Sequence, residues 1–140
     1  MISVMVFGTF DNLHPGHLSY FSQALNFGEE LIIVVARDKN VLKTKGKLPV
    51  ENEKLRLRAV KADLEPLGAS IRVILGSLKN SYTVIAKYRP EVIALGYDQD
   101  VNLDKLKREI KRIDLKCQIV RLKSFRPEKY KSSLLREMDA

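Results

Sequence analysis

The chain has 140 residues, of which 45% are hydrophobic and 30% charged, and its formal net charge is +8. This size and composition are typical of one folded domain, predicted to span 1–140, and they exclude a low-complexity or disordered chain. The longest unbroken apolar run, 31–36, is far shorter than the roughly 20 residues that cross a bilayer, and no basic leader is seen, so neither a membrane span nor a signal peptide is expected.

The cysteine content and the distribution of charge indicate the cellular compartment and the class of ligand. The single cysteine, Cys117, excludes an internal disulfide and predicts a reducing, cytoplasmic location. Many lysines fall on predicted helix faces, where charge is usually solvated. The ten Phe and Tyr residues do not cluster with the basic residues, as they often do in nucleic-acid modules, so no nucleic acid is expected. The basic excess fits a phosphate-rich ligand.

Five short apolar runs, rich in β-branched residues, predict five strands. They lie at 2–7, 30–36, 71–76, 91–96 and 117–122. The first four lack regular polar alternation, which is typical of parallel strands covered on both faces. Gln118 and Arg121 interrupt the fifth run, which therefore predicts an edge strand.

Helical patterns alternate with these runs, at 17–28, 51–64, 81–88, 102–113 and 131–138. Gly28 is predicted to cap the first of these helices. The segment 37–53, with four lysines, a Gly and a Pro, is predicted as a basic loop that either closes over an anion or is a disordered surface loop. The alternation predicts an α/β fold, Rossmann-like and doubly wound, with a five-stranded, mainly parallel sheet and helices on both faces.

The stretch "GTFDNLHPGH" (8–17) holds both histidines of the chain. Gly8 ends the first predicted strand, where it would allow a turn and the close approach of a ligand. Pro15 suits the first turn of a helix, which places His14 at the helix start and His17 three residues later on the same side. Backbone N–H groups and the helix dipole favour an anion there, so the stretch predicts a phosphate site.

Other roles for the histidine pair stay open at this stage. A zinc site would need further ligands, and Asp11 either joins the histidines or is a turn residue. A catalytic base is an alternative, because histidine titrates near neutral pH. The plain structural alternative is that the two side chains only cap the helix or pack in the core.

The same stretch resembles the GTFDxxHxGH signature of the small nucleotidyltransferases related to cytidylyltransferases. The resemblance implies a Rossmann-like domain in which a phosphate oxygen attacks the α-phosphate of a nucleoside triphosphate and releases pyrophosphate. No covalent intermediate is implied. Near the end of the chain, "RPEKYKSS" (126–133) is similar to the family's "RTxGISTT"-like stretch, with Lys129 and Tyr130 in place of its Gly and Ile.

Further stretches resemble the archaeal-type FAD synthases, which transfer AMP from ATP to FMN. They are "VARD" (35–38), the "K-x-K-G-K-x-P" run, "ENEKLR" (51–56) with its Glu53 and Arg56 pair, "ILGSLKN" (74–80) and "LGYDQ" (95–99). Enzymes that transfer CMP to glycerol phosphate usually carry a "GDDW"-like segment where this chain has "GYDQ". The alternatives are a glycerol-3-phosphate cytidylyltransferase, another small phosphate-acceptor nucleotidyltransferase, and, in a different class, a non-catalytic binder of nucleotide or nucleic acid.

The resemblance implies roles for individual residues. His14 and His17 hold the β- and γ-phosphates, and Lys43 or Lys45 closes over them as a mobile charge. The residues implied to bind ATP are Thr9, Phe10, His14, Pro15, Gly16, His17, Asp98, Arg126, Ser132 and Ser133. Mg²⁺ or another divalent cation is expected on the triphosphate, with Asp11 placing it indirectly. Tyr97, Tyr82 and Phe125 are candidates for the flavin wall, and a homodimer is expected.

Overall fold

The protein is described by a computed structural model over residues 2–68 and 70–124. Within these residues the strands are β1 (Ser3–Gly8), β2 (Glu30–Val35), β3 (Ser70–Leu75), β4 (Val92–Leu95) and β5 (Gln118–Arg121). The helices are α1 (Pro15–Ala24), α2 (Asp38–Lys45), α3 (Glu53–Leu64), α4 (Tyr82–Tyr88) and α5 (Leu103–Arg112), with a short 3₁₀ turn at Glu65–Leu67. None of the helices in the described ranges is long and apolar enough to cross a membrane.

All five strands run parallel in one sheet of order β3-β2-β1-β4-β5. The chain builds outward from β1 to β3 on one side and then returns to place β4 and β5 on the other. The predicted Rossmann-like, doubly wound α/β fold is therefore confirmed. The prediction that the fifth strand lies at an edge is also confirmed.

Successive residues of each strand point to opposite faces of the sheet, and this divides the core in two. On one face Val4 and Val6 of β1 pack with Phe21 of α1 and Val60 of α3. On the other face Met5 of β1 packs with residues from α4 and α5, namely Val84, Ile85, Leu106 and Ile110. Both faces of the central strands are covered, which explains why their sequences show no polar alternation.

The prediction of an irregular loop over 37–53 is wrong for the first half of that segment, which forms helix α2. The helix ends at Gly46, whose φ of 80° is a left-handed C-cap. Only Val41 of α2 is buried, so the amphipathic pattern that reveals a helix is missing from the sequence.

The predicted cap at Gly28 is also wrong. Helix α1 ends four residues earlier, at Ala24, with Leu25 in right-handed geometry as its C-cap. Gly28 serves close packing instead, because a Cβ there would lie 2.5 Å from the carbonyl oxygen of Ile2. The predicted last helix, 131–138, lies outside the described residues.

Candidate active site

The carboxyl ends of β1 and β4 form the point where the strand order reverses. In doubly wound sheets this is where ligands bind, since the connections leave in opposite directions and open a crevice. The stretch 8–17 leaves β1 at this point, and "GYDQ" (96–99) leaves β4. The structure therefore brings two of the motifs singled out in the sequence to one crevice.

The histidine pair begins α1 and forms a reciprocal capping arrangement. His14 is the N-cap, and its Nδ1 accepts from the backbone N–H of Gly16 at 3.0 Å. Nδ1 of His17 in turn accepts from the backbone N–H of His14 at 3.3 Å. The two rings stack with centroids 3.9 Å apart. Because each Nδ1 is an acceptor, the proton of each neutral ring sits on Nε2, and both rings can donate from that atom to a phosphate.

The backbone N–H groups of the first turn of α1 have hydrogen-bond partners within the turn. Pro15 has no N–H, and the N–H of Gly16 is taken by the His14 ring. The N–H groups of His17 and Leu18 both donate to the carbonyl of His14, at 2.9 and 3.3 Å. These N–H groups therefore have partners within the turn. Contact of Pro15 and Gly16 with ATP stays a prediction.

The pKa of His17 is about 4, well below the ordinary histidine value. Burial of its ring is the largest cause, the neighbouring His14 adds to the effect, and Asp11 opposes it. His17 is therefore neutral at pH 7. It can donate a hydrogen bond from Nε2 there, but it does not bring a positive charge to the site.

Thr9 and Phe10 leave β1 in an unusual conformation. Phe10 has a φ of 55°, in the left-handed region, and its ring is buried against Phe21 and the edge of His17. That ring also fills the space beside Gly8, where a Cβ would lie 2.6 Å from it. The absent side chain of Gly8 thus makes room for Phe10. The close approach of a ligand at Gly8 stays a prediction. The carbonyl of Thr9 accepts from Arg56, at 2.7 Å.

Of the two lysines predicted to close over the phosphates, Lys45 contacts the residue that follows β1. Its Nζ donates to the hydroxyl of Thr9 at 3.3 Å, at the end of β1. Lys43 lies exposed on α2, two residues before it. Asp98 is exposed in the turn that follows β4, at the same edge of the sheet.

A clamp that the sequence did not reveal holds the ends of β1 and β4 together. The amide of Gln99 accepts from the N–H of Gly96 at 2.7 Å and donates to the carbonyl of Phe7 at 3.0 Å. The hydroxyl of Tyr20 reaches the Gln99 amide oxygen at 3.2 Å, and burial raises the pKa of that hydroxyl far above its ordinary value. Nη1 of Arg121 donates to the Gly96 and Gln99 carbonyls, both at 2.8 Å. The turn that carries Asp98 is thereby fixed to both strands.

A second unpredicted element is the polar network beneath the basic segment. Its centre is Arg56, whose side chain is completely buried and whose guanidinium donates to Asp38 at 2.7 Å. Asp38 and Glu53 begin α2 and α3, and each carboxylate accepts the backbone N–H of the other residue, at 2.9 and 3.1 Å. Arg37 completes the network with an ion pair to Glu53 at 3.0 Å. The stretches "VARD" and "ENEKLR" therefore meet in the structure, which the sequence analysis did not predict.

Asp11, which is predicted to place Mg²⁺ indirectly, binds backbone N–H groups in the structure. Its two carboxylate oxygens accept from the N–H groups of Val50 and Glu51, at 2.7 and 2.9 Å. Among the described residues no three His, Cys, Asp or Glu side chains are grouped to hold a metal ion.

Four predicted residues lie outside the described residues: Phe125, Arg126, Ser132 and Ser133. Of the remaining flavin candidates, Tyr97 is exposed on the turn after β4. Tyr82 packs against the core on the α4 and α5 face, with the ammonium of Lys105 5.6 Å from the centre of its ring. Of these two candidates, Tyr97 is therefore the more exposed and follows β4 directly.

Comparison with known proteins shows the family to which the chain belongs. The model of the family described as cytidylyltransferase-like matches residues 5–138. The chain belongs to the cytidylyltransferase-like family. Among curated members, an FAD synthase of Methanosarcina barkeri is 40% identical, with the match covering 87% of this chain and 84% of that protein. One of Archaeoglobus profundus is also 40% identical, over 95% of this chain and 82% of its own length. The recognition from the sequence is confirmed, and members of this kind are nucleotidyltransferases.

A solved structure supports the family fold. The lipopolysaccharide core biosynthesis protein of Thermoplasma volcanium superposes with a TM-score of 0.81 at 34% identity. The match covers 90% of this chain and 99% of that protein. The sheet described above is therefore the family's sheet, and the histidine pair of this cytidylyltransferase-like chain lies at its switch point.

Proposed function

We propose that the chain is an FAD synthase that transfers AMP from ATP to the phosphate of FMN. A phosphate oxygen of FMN attacks the α-phosphorus of ATP, the bond between that phosphorus and the bridging oxygen to the β-phosphate breaks, and pyrophosphate leaves. The observation that carries the proposal is the pair of Nε2 donors at the switch point, in a chain that is 40% identical to curated FAD synthases over most of its length.

In this mechanism His14 and His17 donate from Nε2 to the β- and γ-phosphates, where negative charge builds as pyrophosphate departs. His17 acts as a neutral donor because its pKa is about 4. Lys45 supplies the positive charge from the end of α2, and its contact with Thr9 supports this choice over Lys43. Asp98 is proposed to contact the ribose from the clamped turn after β4.

Three residues outside the described range complete the proposed phosphate site: Arg126, Ser132 and Ser133. Mg²⁺ is proposed to arrive on the triphosphate, because Asp11 is committed to backbone N–H groups and the described residues offer no cage. Thr9 and Phe10 are proposed to offer their N–H groups to the nucleotide. The proposed wall for the flavin ring includes Tyr97, which is 56% exposed.

We also propose action in a reducing cytoplasm, without nucleic-acid or membrane partners, as a homodimer. The free Cys117 supports the reducing compartment. Sedimentation velocity at micromolar concentration tests the dimer, and a monomer throughout would contradict that part alone.

An acceptor screen tests the proposed reaction. The purified chain is incubated with Mg²⁺ and every pairing of ATP or CTP with FMN or glycerol 3-phosphate. Pyrophosphate and FAD are expected from ATP with FMN only, and His14→Asn serves as the inactive control because asparagine preserves the helix cap. Pyrophosphate from CTP with glycerol 3-phosphate, and none from ATP with FMN, would overturn the choice of substrates. Absence of turnover with every pair, together with tight ATP binding, would favour a non-catalytic binder.

A further inference from the structure

The loop that follows β1 and the connection between α2 and α3 are tied together in both directions. From the loop, the carboxylate of Asp11 accepts the N–H groups of Val50 and Glu51, at 2.7 and 2.9 Å. From the connection, the carboxylate of Glu51 accepts the N–H of Asn12 at 2.9 Å. Three hydrogen bonds from backbone N–H groups to carboxylate oxygens thus join segments about 40 positions apart in the chain.

The surroundings of Asp11 keep its carboxylate ionised for this role. Burial on its own would raise the pKa of Asp11, but the N–H groups of Glu51 and Val50 lower it, and the resulting pKa lies below its ordinary value. The positive charges of Arg56 and Lys45 act in the same direction. At pH 7 the carboxylate is therefore a double acceptor.

The loop after β1 holds a conformation that its own residues disfavour. Phe10 and Asn12, on either side of Asp11, have φ values of 55° and 49°, in the left-handed region that side chains rarely adopt. Such conformations persist when surrounding contacts hold them. Here Val50, Glu51 and Arg56 supply those contacts.

We propose that Asp11 and Glu51 form a latch that holds the lysine-bearing segment 43–47 at the carboxyl end of β1. Asp11 is thus a positioning residue. The latch fixes the connection that follows α2, so that Lys45 stays beside Thr9. The same bonds hold the loop that presents His14. Both halves of the proposed phosphate site are therefore set by one group of contacts, and only this catalytic consequence rests on the proposed function.

Hydrogen exchange and limited proteolysis test the latch without any substrate. In Asp11→Ala, the amides of Val50 and Glu51 are expected to exchange about ten-fold faster or more, since their acceptor is lost. Trypsin cleavage within 43–47, which offers three lysines, is expected to rise in parallel. Asp63→Ala, which changes an exposed carboxylate on α3, is the matched control and should alter neither measurement.

Variants of Glu51 keep the test decisive if Asp11→Ala fails to fold. Glu51→Ala should release only the Asn12 amide, whereas Glu51→Gln retains an acceptor oxygen and should restore most of its protection. Unchanged exchange at Asn12 in Glu51→Ala, or at Val50 and Glu51 in a folded Asp11→Ala, would overturn the latch.

Kinetics with ATP and FMN separate positioning from metal binding. With Asp11→Asn, which retains one acceptor oxygen, kcat is expected to fall while the Mg²⁺ concentration for half-maximal rate stays within about two-fold of wild type. A rise of about ten-fold or more in that Mg²⁺ concentration, with amide protection intact, would make Asp11 a metal-placing residue and refute the latch. If wild type forms no FAD, the proposed function fails, but exchange and proteolysis still decide the latch.

Discussion

Replacing the buried Arg56 tests whether the network between α2 and α3 holds the protein together. The side chain is 0% exposed, and its guanidinium donates to the carbonyls of Glu51 and Thr9, at 3.0 and 2.7 Å, and to the carboxylate of Asp38 at 2.7 Å. Arg56→Met removes all three donors and keeps a chain of similar length. Two carbonyls and one carboxylate then lose a partner.

The cost follows from how much water can replace the lost partners. Removing one member of a buried ion pair costs about 3–5 kcal/mol, because the other charge is left without compensation. Asp38 is 26% exposed and still accepts from the Glu53 N–H, so water and that bond offset part of the loss. We therefore expect the lower end, about 3 kcal/mol, which for a chain of this length is a fall in Tm of about 12 °C.

Urea denaturation followed by circular dichroism measures the change. Arg58→Met, two residues along α3 where the side chain is exposed, is the matched control and should stay within about 0.5 kcal/mol of wild type. In a double-mutant cycle, Arg56→Met and Asp38→Asn should together cost less than the sum of their separate effects, because each removes the same contact. A loss below about 1 kcal/mol for Arg56→Met, or an equal loss for Arg58→Met, would refute the reasoning.

Three further outcomes follow from the site. His14→Asn should lower kcat by about 10²-fold or more with the free energy of unfolding nearly unchanged, whereas His14→Ala should also lose about 1 kcal/mol of stability with the cap; equal stability of the two would contradict the capping role. His17 protonates near pH 6.5 when unfolded but only near pH 4 when folded, so stability should be lost as pH falls through this window, and less so in His17→Gln; an NMR titration midpoint of His17 near 6.5 would refute this. Tyr20→Phe should cost about 1–2 kcal/mol in urea denaturation because buried acceptors lose their donor, and a comparable cost for the exposed Tyr97→Phe would argue against it.

The sheet could be predicted from the sequence because its signal is local. Runs such as 30–36 are short, β-branched and bounded by polar residues, and strands buried on both faces need little else. The edge position of β5 could be predicted for the same reason, since Gln118 and Arg121 are both exposed there. The strand order β3-β2-β1-β4-β5 could not be predicted in this way, because right-handed connections between parallel strands are compatible with several orders.

Helix α2 could not be predicted because its stability comes from partners distant in sequence. Its N-cap, Arg37, makes no side-chain capping bond. Instead the Glu53 carboxylate accepts the N–H of Asp38, 15 residues earlier in the chain. With Val41 as its one buried residue, no periodic apolar face marks the helix. In the sequence, contacts of this kind are visible only as isolated charged residues, which do not predict a helix.

For the candidate site too, features set by neighbouring residues could be predicted from the sequence, whereas features set by residues distant in the chain could not. The spacing of His14 and His17 places both rings on the first turn of α1, so the pairing could be predicted. Capping of the turn by the two histidines was one of the alternatives that the sequence left open, and the structure shows it at both Nδ1 atoms. Capping is compatible with a phosphate role, because it directs the remaining N–H of each ring to Nε2. The partners of Asp11 could not be predicted, because they lie 39 and 40 positions away.

The contacts of the 49–56 region link folding to the geometry of the proposed catalytic site. Arg56 and Glu51 bind the loop that leads to His14, through the Thr9 carbonyl and the Asn12 N–H. The loop in turn binds this region through Asp11. Donors aimed at a charged transition state are effective when they need not reorganise during the reaction. A network that is already satisfied in the folded chain meets that condition, so variants that loosen it should lose kcat before they lose the ability to fold.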